Sequence, residues 1–224
     1  IIASNSWGLP ICDPSGLCNA PLVRAIKSAI ARGIVVVFAA GNEHTDCGGD
    51  PDQCYPNTIW YVNSIDPVIT VGTVDEDMKI RSYSSRGPGE CSVTSPKPDV
   101  VAPTYGRITY DCGYWDSLIG WGTSGACPQV AGVAALVLTA NPTLTVDQVH
   151  SIINRATNKY PNRDNCYGYG VINALAAVEG TSAPPPPVQE PHLYDLFSYT
   201  TPLYCMSLMG FILPTILKRE KYKY

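Results

Sequence analysis

PLVRAIKSAIARGIVVVFAAGNE, residues 21–43, is the stretch from which the fold class follows. Its first half sets Leu22, Val23, Ile26, Ala29 and Ile30 at helical spacing and stops at Gly33, a residue that ends helices by turning left-handed without steric cost. The run from Ile34 to Ala40 follows directly and is continuous, apolar and rich in β-branched residues, which suits a strand covered on both faces of a parallel sheet. Helix followed by buried strand predicts α/β architecture. VITVGTV (68–74) and DVVAP (99–103) repeat the short buried-strand pattern, each closed by turn chemistry from Gly, Asp or Pro.

From Ser124 to Leu138, Ala, Val, Gly and Leu occupy every side, so a helix here is expected to be buried all round. TVDQVHSIINRAT (145–157) begins with Thr145 and has Gln148 three residues on, a capping-box pattern, with Val146, Val149, Ile152 and Ile153 as its inner face. The expected architecture is a three-layer α/β domain with a mostly parallel sheet and a buried central helix.

The chain has 224 residues, 45% hydrophobic and 15% charged, which fits one domain over residues 1–180 and a tail over 181–224. A formal net charge of −4, with no basic stripe among residues 1–180, argues against a nucleic-acid partner. The chain opens on IIASNSWG without an initiator Met or leader pattern, and it is expected to begin in mid-domain. At TSAPPPPVQEP the composition changes to a proline run that favours an extended linker. Beyond it Leu196 to Leu217 carry no charge and precede KREKYKY, a pattern compatible with membrane association through the tail. Pro202, Pro214 and several Ser and Thr residues weaken a membrane span and favour a disordered or surface-associated tail.

None of the nine cysteines forms a C-x-x-C pair, so disulfides are the expected use and an extracellular or cell-surface location follows. Cys12 and Cys18, and Cys47 and Cys54, bracket Gly/Pro/Asp-rich loops that each pair could close; the odd total leaves at least one cysteine over.

In open α/β sheets ligands gather at the carboxyl ends of strands, where AAGNE (39–43) places Gly41 and Asn42. A Gly-Asn pair there also serves as a plain turn. In GWGTSGACPQVAGVAAL (120–136), Ser124 stands at the head of the long helix, where free N–H groups favour negative charge. An N-cap would explain a serine; Gly122, Gly125 and Ala126 add room for a carbonyl to approach the backbone, which a cap does not need.

GTSGACPQVAG (122–132) resembles the serine motif of the subtilisin-like serine proteases, and other segments agree with that family in order. SNSWG (4–8) is similar to its substrate-binding strand, AAGNE to its oxyanion segment, VITVGTVD (68–75) to a core strand, SYSSRGP (82–88) to its Ser-Ser-x-Gly loop, KPDVVAP (97–103) to the next strand and YGYGVINALAAV (167–178) to its closing element. The resemblance covers roughly residues 3–179. It implies a serine endopeptidase acting on peptide or protein substrates, with Ser124 as acylating nucleophile and Asn42, beside the Ser124 N–H, as oxyanion donor. It implies further that Ser6, Trp7 and Gly8 pair with an extended peptide and that Ala39, Ala40 and Gly41 line the pocket for the side chain before the scissile bond. Glu43 would stand at the rim of that pocket and favour basic side chains, unless it is simply solvated.

Gly125 replaces the family's usual Met or Gln, and Gln129 stands where His is frequent. The His-Gly and Asp-Thr-Gly or Asp-Ser-Gly segments that carry the family's base and acid do not occur. His44 lies in a loop, His150 on a surface helix pattern and His192 in the tail, so both partners are expected upstream of Ile1. No cofactor is required by this chemistry; a structural calcium is common in the family and Asp75 and Asp77 could contribute oxygens, without a ligand assignment. Two rivals stand beside this reading. An α/β-hydrolase esterase needs G-x-S-x-G, and the last glycine is Ala126 here. A non-catalytic pseudoprotease would keep only peptide binding. A polypeptide starting at Ile1 is expected to hydrolyse peptides poorly or not at all; assay of the isolated chain checks this, and turnover abolished by Ser124→Ala would overturn it.

Overall fold

The structure, a computed structural model, describes residues 1–8, 18, 20–89, 91, 96–110, 114–118 and 121–182. Cys12, His192, the proline run and the apolar segment 196–217 lie outside the described residues. The chain divides into two units, Ile1–Pro184 and Pro185–Tyr224, and only the first is described.

Four parallel strands, β1 (Ile2–Asn5), β2 (Val35–Ala39), β3 (Ile69–Val74) and β4 (Val100–Pro103), form one sheet in chain order. An antiparallel ribbon of β5 (Gly106–Tyr110) and β6 (Tyr114–Leu118) precedes helix α2 (Thr123–Ala140). Helix α1 (Pro21–Ala31) connects β1 to β2, and α3 (Val146–Arg155) and α4 (Ala174–Glu179) follow α2. Alternation along β2 divides the core. Val35, Val37 and Ala39 pack with Val130, Ala134 and Val137 of α2 and Val149 and Ile153 of α3; Val36 and Phe38 pack with Val23 of α1 and with Val62, Ile65 and Val68. The sheet is thus covered on both faces, the expected three-layer α/β arrangement.

The local signals act as expected at two helix ends. Gly33 turns the chain after α1 with φ +83°, and its N–H reaches the Ile30 carbonyl at 2.9 Å. Thr145 and Gln148 close a reciprocal capping box on α3, at 3.3 Å and 2.8 Å.

Three expectations need correction. Helix α2 buries Ala126, Cys127, Val130, Ala131, Val133, Ala134 and Val137, but Pro128, Gly132, Ala135 and Leu136 are exposed. Small apolar residues on that open stripe make the sequence read as buried on every side. The cysteines make long-range cross-links instead of closing local loops: Cys18 pairs with Cys91, and Cys54 with Cys166. Cys47 is also disulfide-bonded, and Cys127 is free and buried. Sequence spacing could not reveal these partners because the connecting segments return to one another only in the folded chain. Finally, His150 is not a plain surface residue, since its Nε2 lies 3.2 Å from Asp99 Oδ1.

Asp99 is the hub of a buried charge cluster. Its Oδ2 accepts from Lys97 Nζ at 2.6 Å and from the Thr70 N–H at 2.8 Å; its Oδ1 accepts from Arg163 at 3.0 Å. Lys97 also donates to the Val68 carbonyl at 2.7 Å. Burial alone would raise the Asp99 pKa, but Lys97, His150 and Arg163 outweigh it and hold the carboxyl well below the usual carboxylate range. A carboxylate depressed in this way contributes its full stability above its unfolded pKa, and that contribution is lost progressively as pH falls from the unfolded value through the lower, folded one. Asp99→Asn leaves Lys97 buried without its counter-charge, so we expect a loss of about 3–5 kcal/mol in unfolding free energy. Urea denaturation at neutral pH measures it.

Candidate active site

Strand β2 ends at Ala39 because Ala40 and Gly41 turn away from the ladder, the latter at φ +113°, a conformation suited to glycine. Ala40 still bonds to the Val71 carbonyl at 2.9 Å. Asn63 fixes the surroundings: its Nδ2 donates to Ala39 O at 2.6 Å and to Trp7 O at 3.3 Å. One amide therefore joins the segment Ser6–Trp7–Gly8 to the segment Ala39–Ala40–Gly41. Trp60 fills the space beside Gly8, where any Cβ would collide with its ring.

Helix α2 starts beside this turn. Gly122 is its N-cap at φ +64°, so Ser124, in the first turn, is not a capping residue. A Cβ on Gly122 would lie 2.6 Å from Asn42 Oδ1 and 2.9 Å from Nδ2, which shows how closely the Asn42 amide approaches the helix. Thr123 makes the connection. Its N–H and its hydroxyl both donate to Asn42 Oδ1, at 2.9 Å and 3.1 Å, and its Oγ1 accepts the Gly41 N–H at 3.2 Å. Because a backbone N–H can only donate, the Asn42 atom facing it must be the oxygen. The Asn42 Nδ2 then has no protein acceptor among the described residues.

Ser124 is half-buried, and its carbonyl accepts from Ser6 Oγ at 3.0 Å. Its hydroxyl has no hydrogen-bond partner among the described residues, and neither described histidine faces it. His44 is fully buried with Nε2 at 2.9 Å from the Asp50 carbonyl, and burial lowers its pKa. His150 faces Asp99. Gly125 makes room for its neighbour: a Cβ there would lie 2.9 Å from the Cβ of Trp121 and 3.2 Å from the Thr104 carbonyl. Trp121 and Trp7 remain about half exposed, at 51% and 48%. Gln129 bonds to the carbonyls of Pro103 and, at 3.1 Å, Gly125. Cys127, one helical turn beyond Ser124, contacts Ser4 Oγ at 3.7 Å and Asn5 O at 3.6 Å; burial pushes its thiol pKa up, which makes it packing instead of chemistry.

Glu43 lies beside Gly41, where a Cβ would approach its Oε2 to 2.8 Å. It is half-buried, and its Oε2 turns back to accept the Asn42 N–H at 2.7 Å. Asp75 Oδ1 accepts the N–H groups of Asp77 at 3.0 Å and Lys79 at 2.9 Å, so that oxygen closes its own turn. Thr123, Asn63, Trp60 and Ser85 were not singled out from the sequence. Thr123 and Ser85 left a signal there, the first as the residue preceding Ser124 and the second within the Ser-Ser-x-Gly loop.

A model described as the subtilase family (Peptidase_S8) matches residues 1–170. The chain is 38% identical over 181 residues to serine protease AprX of Bacillus subtilis (strain 168), a match covering 71% of this chain and 38% of AprX. It is 40% identical over 168 residues to subtilisin DY of Bacillus licheniformis, covering 74% of this chain and 54% of that protein. The chain thus spans about half or less of the length of these relatives. Among solved structures, sphericase superposes with a TM-score of 0.60 at 24% identity, over 77% of this chain and 56% of sphericase, a likeness of fold.

Thr123→Val removes the hydroxyl donor to Asn42 and strands the buried Gly41 N–H. We expect it to lower stability by about 1–3 kcal/mol, with Thr123→Ser close to wild type; chemical denaturation of the two variants checks the pair.

Proposed function

The chain belongs to the subtilase family, and on that premise we propose that it carries the acylating serine of a serine endopeptidase, with Ser124 as nucleophile and Asn42 as oxyanion donor. The observation that carries this reading is the Asn42–Thr123 junction, which holds a side-chain amide whose N–H₂ has no acceptor among the described residues against the first turn containing Ser124. Attack of Ser124 Oγ on a peptide carbonyl places negative charge on the carbonyl oxygen. The Ser124 N–H, a first-turn group without an intrahelical partner, and the Asn42 amide are the two donors suited to it. The substrate would lie as an extended strand along Ser6, Trp7 and Gly8, with the side chain before the scissile bond against Ala39, Ala40 and Gly41. Asn63 supports this by bonding both walls.

The proton leaving Ser124 requires an imidazole oriented by a carboxylate, a role filled by neither described histidine. The cross-links Cys18–Cys91 and Cys54–Cys166 support an oxidising, extracellular or cell-surface setting.

The test is a fluorophosphonate serine probe applied to the protein expressed from its complete reading frame. Labelling confined to Ser124 and abolished by Ser124→Ala is the expected result. Asn42→Ala should lower turnover by about 10²- to 10³-fold, the cost known for the corresponding donor of subtilisin. Peptide binding without labelling would favour the pseudoprotease, and an Asn42→Ala variant with unchanged turnover would remove Asn42 from the mechanism.

A further inference from the structure

We propose that Glu43 is a positioning residue for Asn42, holding that residue's backbone so that its side-chain amide keeps one orientation; the catalytic meaning of this hold rests on the reading of Asn42 as oxyanion donor. Asn42 is gripped at two points. At the backbone, its N–H donates to Glu43 Oε2 at 2.7 Å; at the side chain, its Oδ1 accepts both Thr123 donors, at 2.9 Å and 3.1 Å. Fixing the N–H and the Oδ1 of one residue removes the freedom of the two side-chain torsions between them, which leaves Nδ2 with a single direction.

The Glu43 carboxylate is itself held. Ser85 Oγ accepts the Glu43 N–H at 3.2 Å and lies 3.5 Å from Oε2, while the Ser85 N–H donates to the Gly41 carbonyl at 2.9 Å. A Cβ on Gly41 would lie 2.8 Å from both Glu43 Oε2 and Ser85 Oγ and 3.0 Å from the Trp60 ring. Gly41 is therefore needed for the carboxylate to reach Asn42 as well as for its own positive φ. Burial raises the Glu43 pKa, opposed first by the hydrogen bond from the Asn42 N–H. An ionised acceptor makes this N–H bond stronger than a neutral one.

This arrangement competes with the role of a rim carboxylate that selects basic substrate side chains, because a carboxylate engaged with Asn42 must be released to meet a cation. The two roles separate in kinetics. With the protein expressed from its complete reading frame, Glu43→Gln and Glu43→Ala should lower kcat for apolar and basic substrates alike with KM nearly unchanged. The loss should be larger for Ala and approach, in the limit, the roughly 10²- to 10³-fold cost of losing the oxyanion donor itself. Beside the acid limb imposed by the imidazole that serves Ser124, the wild type should show a second acid ionisation in kcat, and only that one should disappear in Glu43→Gln. A rise in KM confined to lysine and arginine substrates, with kcat preserved, would overturn the proposal. A second measurement stands apart from catalysis. In ¹⁵N–¹H spectra of the chain, the Asn42 backbone amide should lie downfield and move with a midpoint above the ordinary glutamate value, and this movement should vanish in Glu43→Gln. An Asn42 amide indifferent to pH and to that substitution overturns the proposal even if Ser124 proves inert; a titrating amide with an inert Ser124 keeps the contact and removes only the catalytic reading.

Discussion

A strand covered on both faces favours apolar side chains along its length, and β2 is apolar and buried at every position from Val35 to Ala39. Polar function is thereby displaced to the strand's carboxyl end, where the chain must turn out of the sheet. Ala40, Gly41 and Asn42 occupy that turn, and α2 begins directly against it. The same double burial selects the helix residues. Val130, Ala134 and Val137 face one side of the sheet, and Val23 of α1 faces the other.

The middle of the sheet is apolar, and one cluster of buried charge lies at the end opposite the Gly41–Asn42 turn. Asp99 precedes β4 and bonds to the Thr70 N–H in β3, to Lys97, and to Arg163 after α3. This cluster joins the sheet to the α3 region through a buried carboxylate that faces cationic partners, which offsets the cost of its burial. The disulfides add long-range ties of a different kind, between residues 73 and 112 positions apart in sequence. Constraining loops of that length restricts the unfolded chain more than a short local loop would.

At the functional end the organisation is finer. Thr123 uses its N–H and its hydroxyl on one partner segment, donating twice to Asn42 and accepting from Gly41. Glu43 and Ser85 secure the same turn from its other side. The strand end and the helix start are thus one hydrogen-bonded unit, in which Ser124 is the residue whose hydroxyl remains uncommitted among those described. A rigid unit with a free hydroxyl and a free amide is suited to stabilising charge that develops during a reaction, since little reorganisation is needed when it appears.

The sequence by itself determined the α/β class, the strands around residues 34–40, 68–74 and 99–103, the helix stops and caps at Gly33 and Thr145, and the candidacy of Ser124 and Asn42. These are legible because hydrophobic period, capping chemistry and motif order are local properties of a chain. Only the tertiary structure decided that Cys18 meets Cys91 and Cys54 meets Cys166, that one stripe of α2 stays open, and that His150 turns to Asp99. It also decided that Glu43 accepts the Asn42 N–H, and that Asn63 bridges Trp7 and Ala39. Each of these depends on which distant segments converge, a quantity that residue type and spacing do not encode, because a polar side chain takes whichever partner the packed core brings within reach.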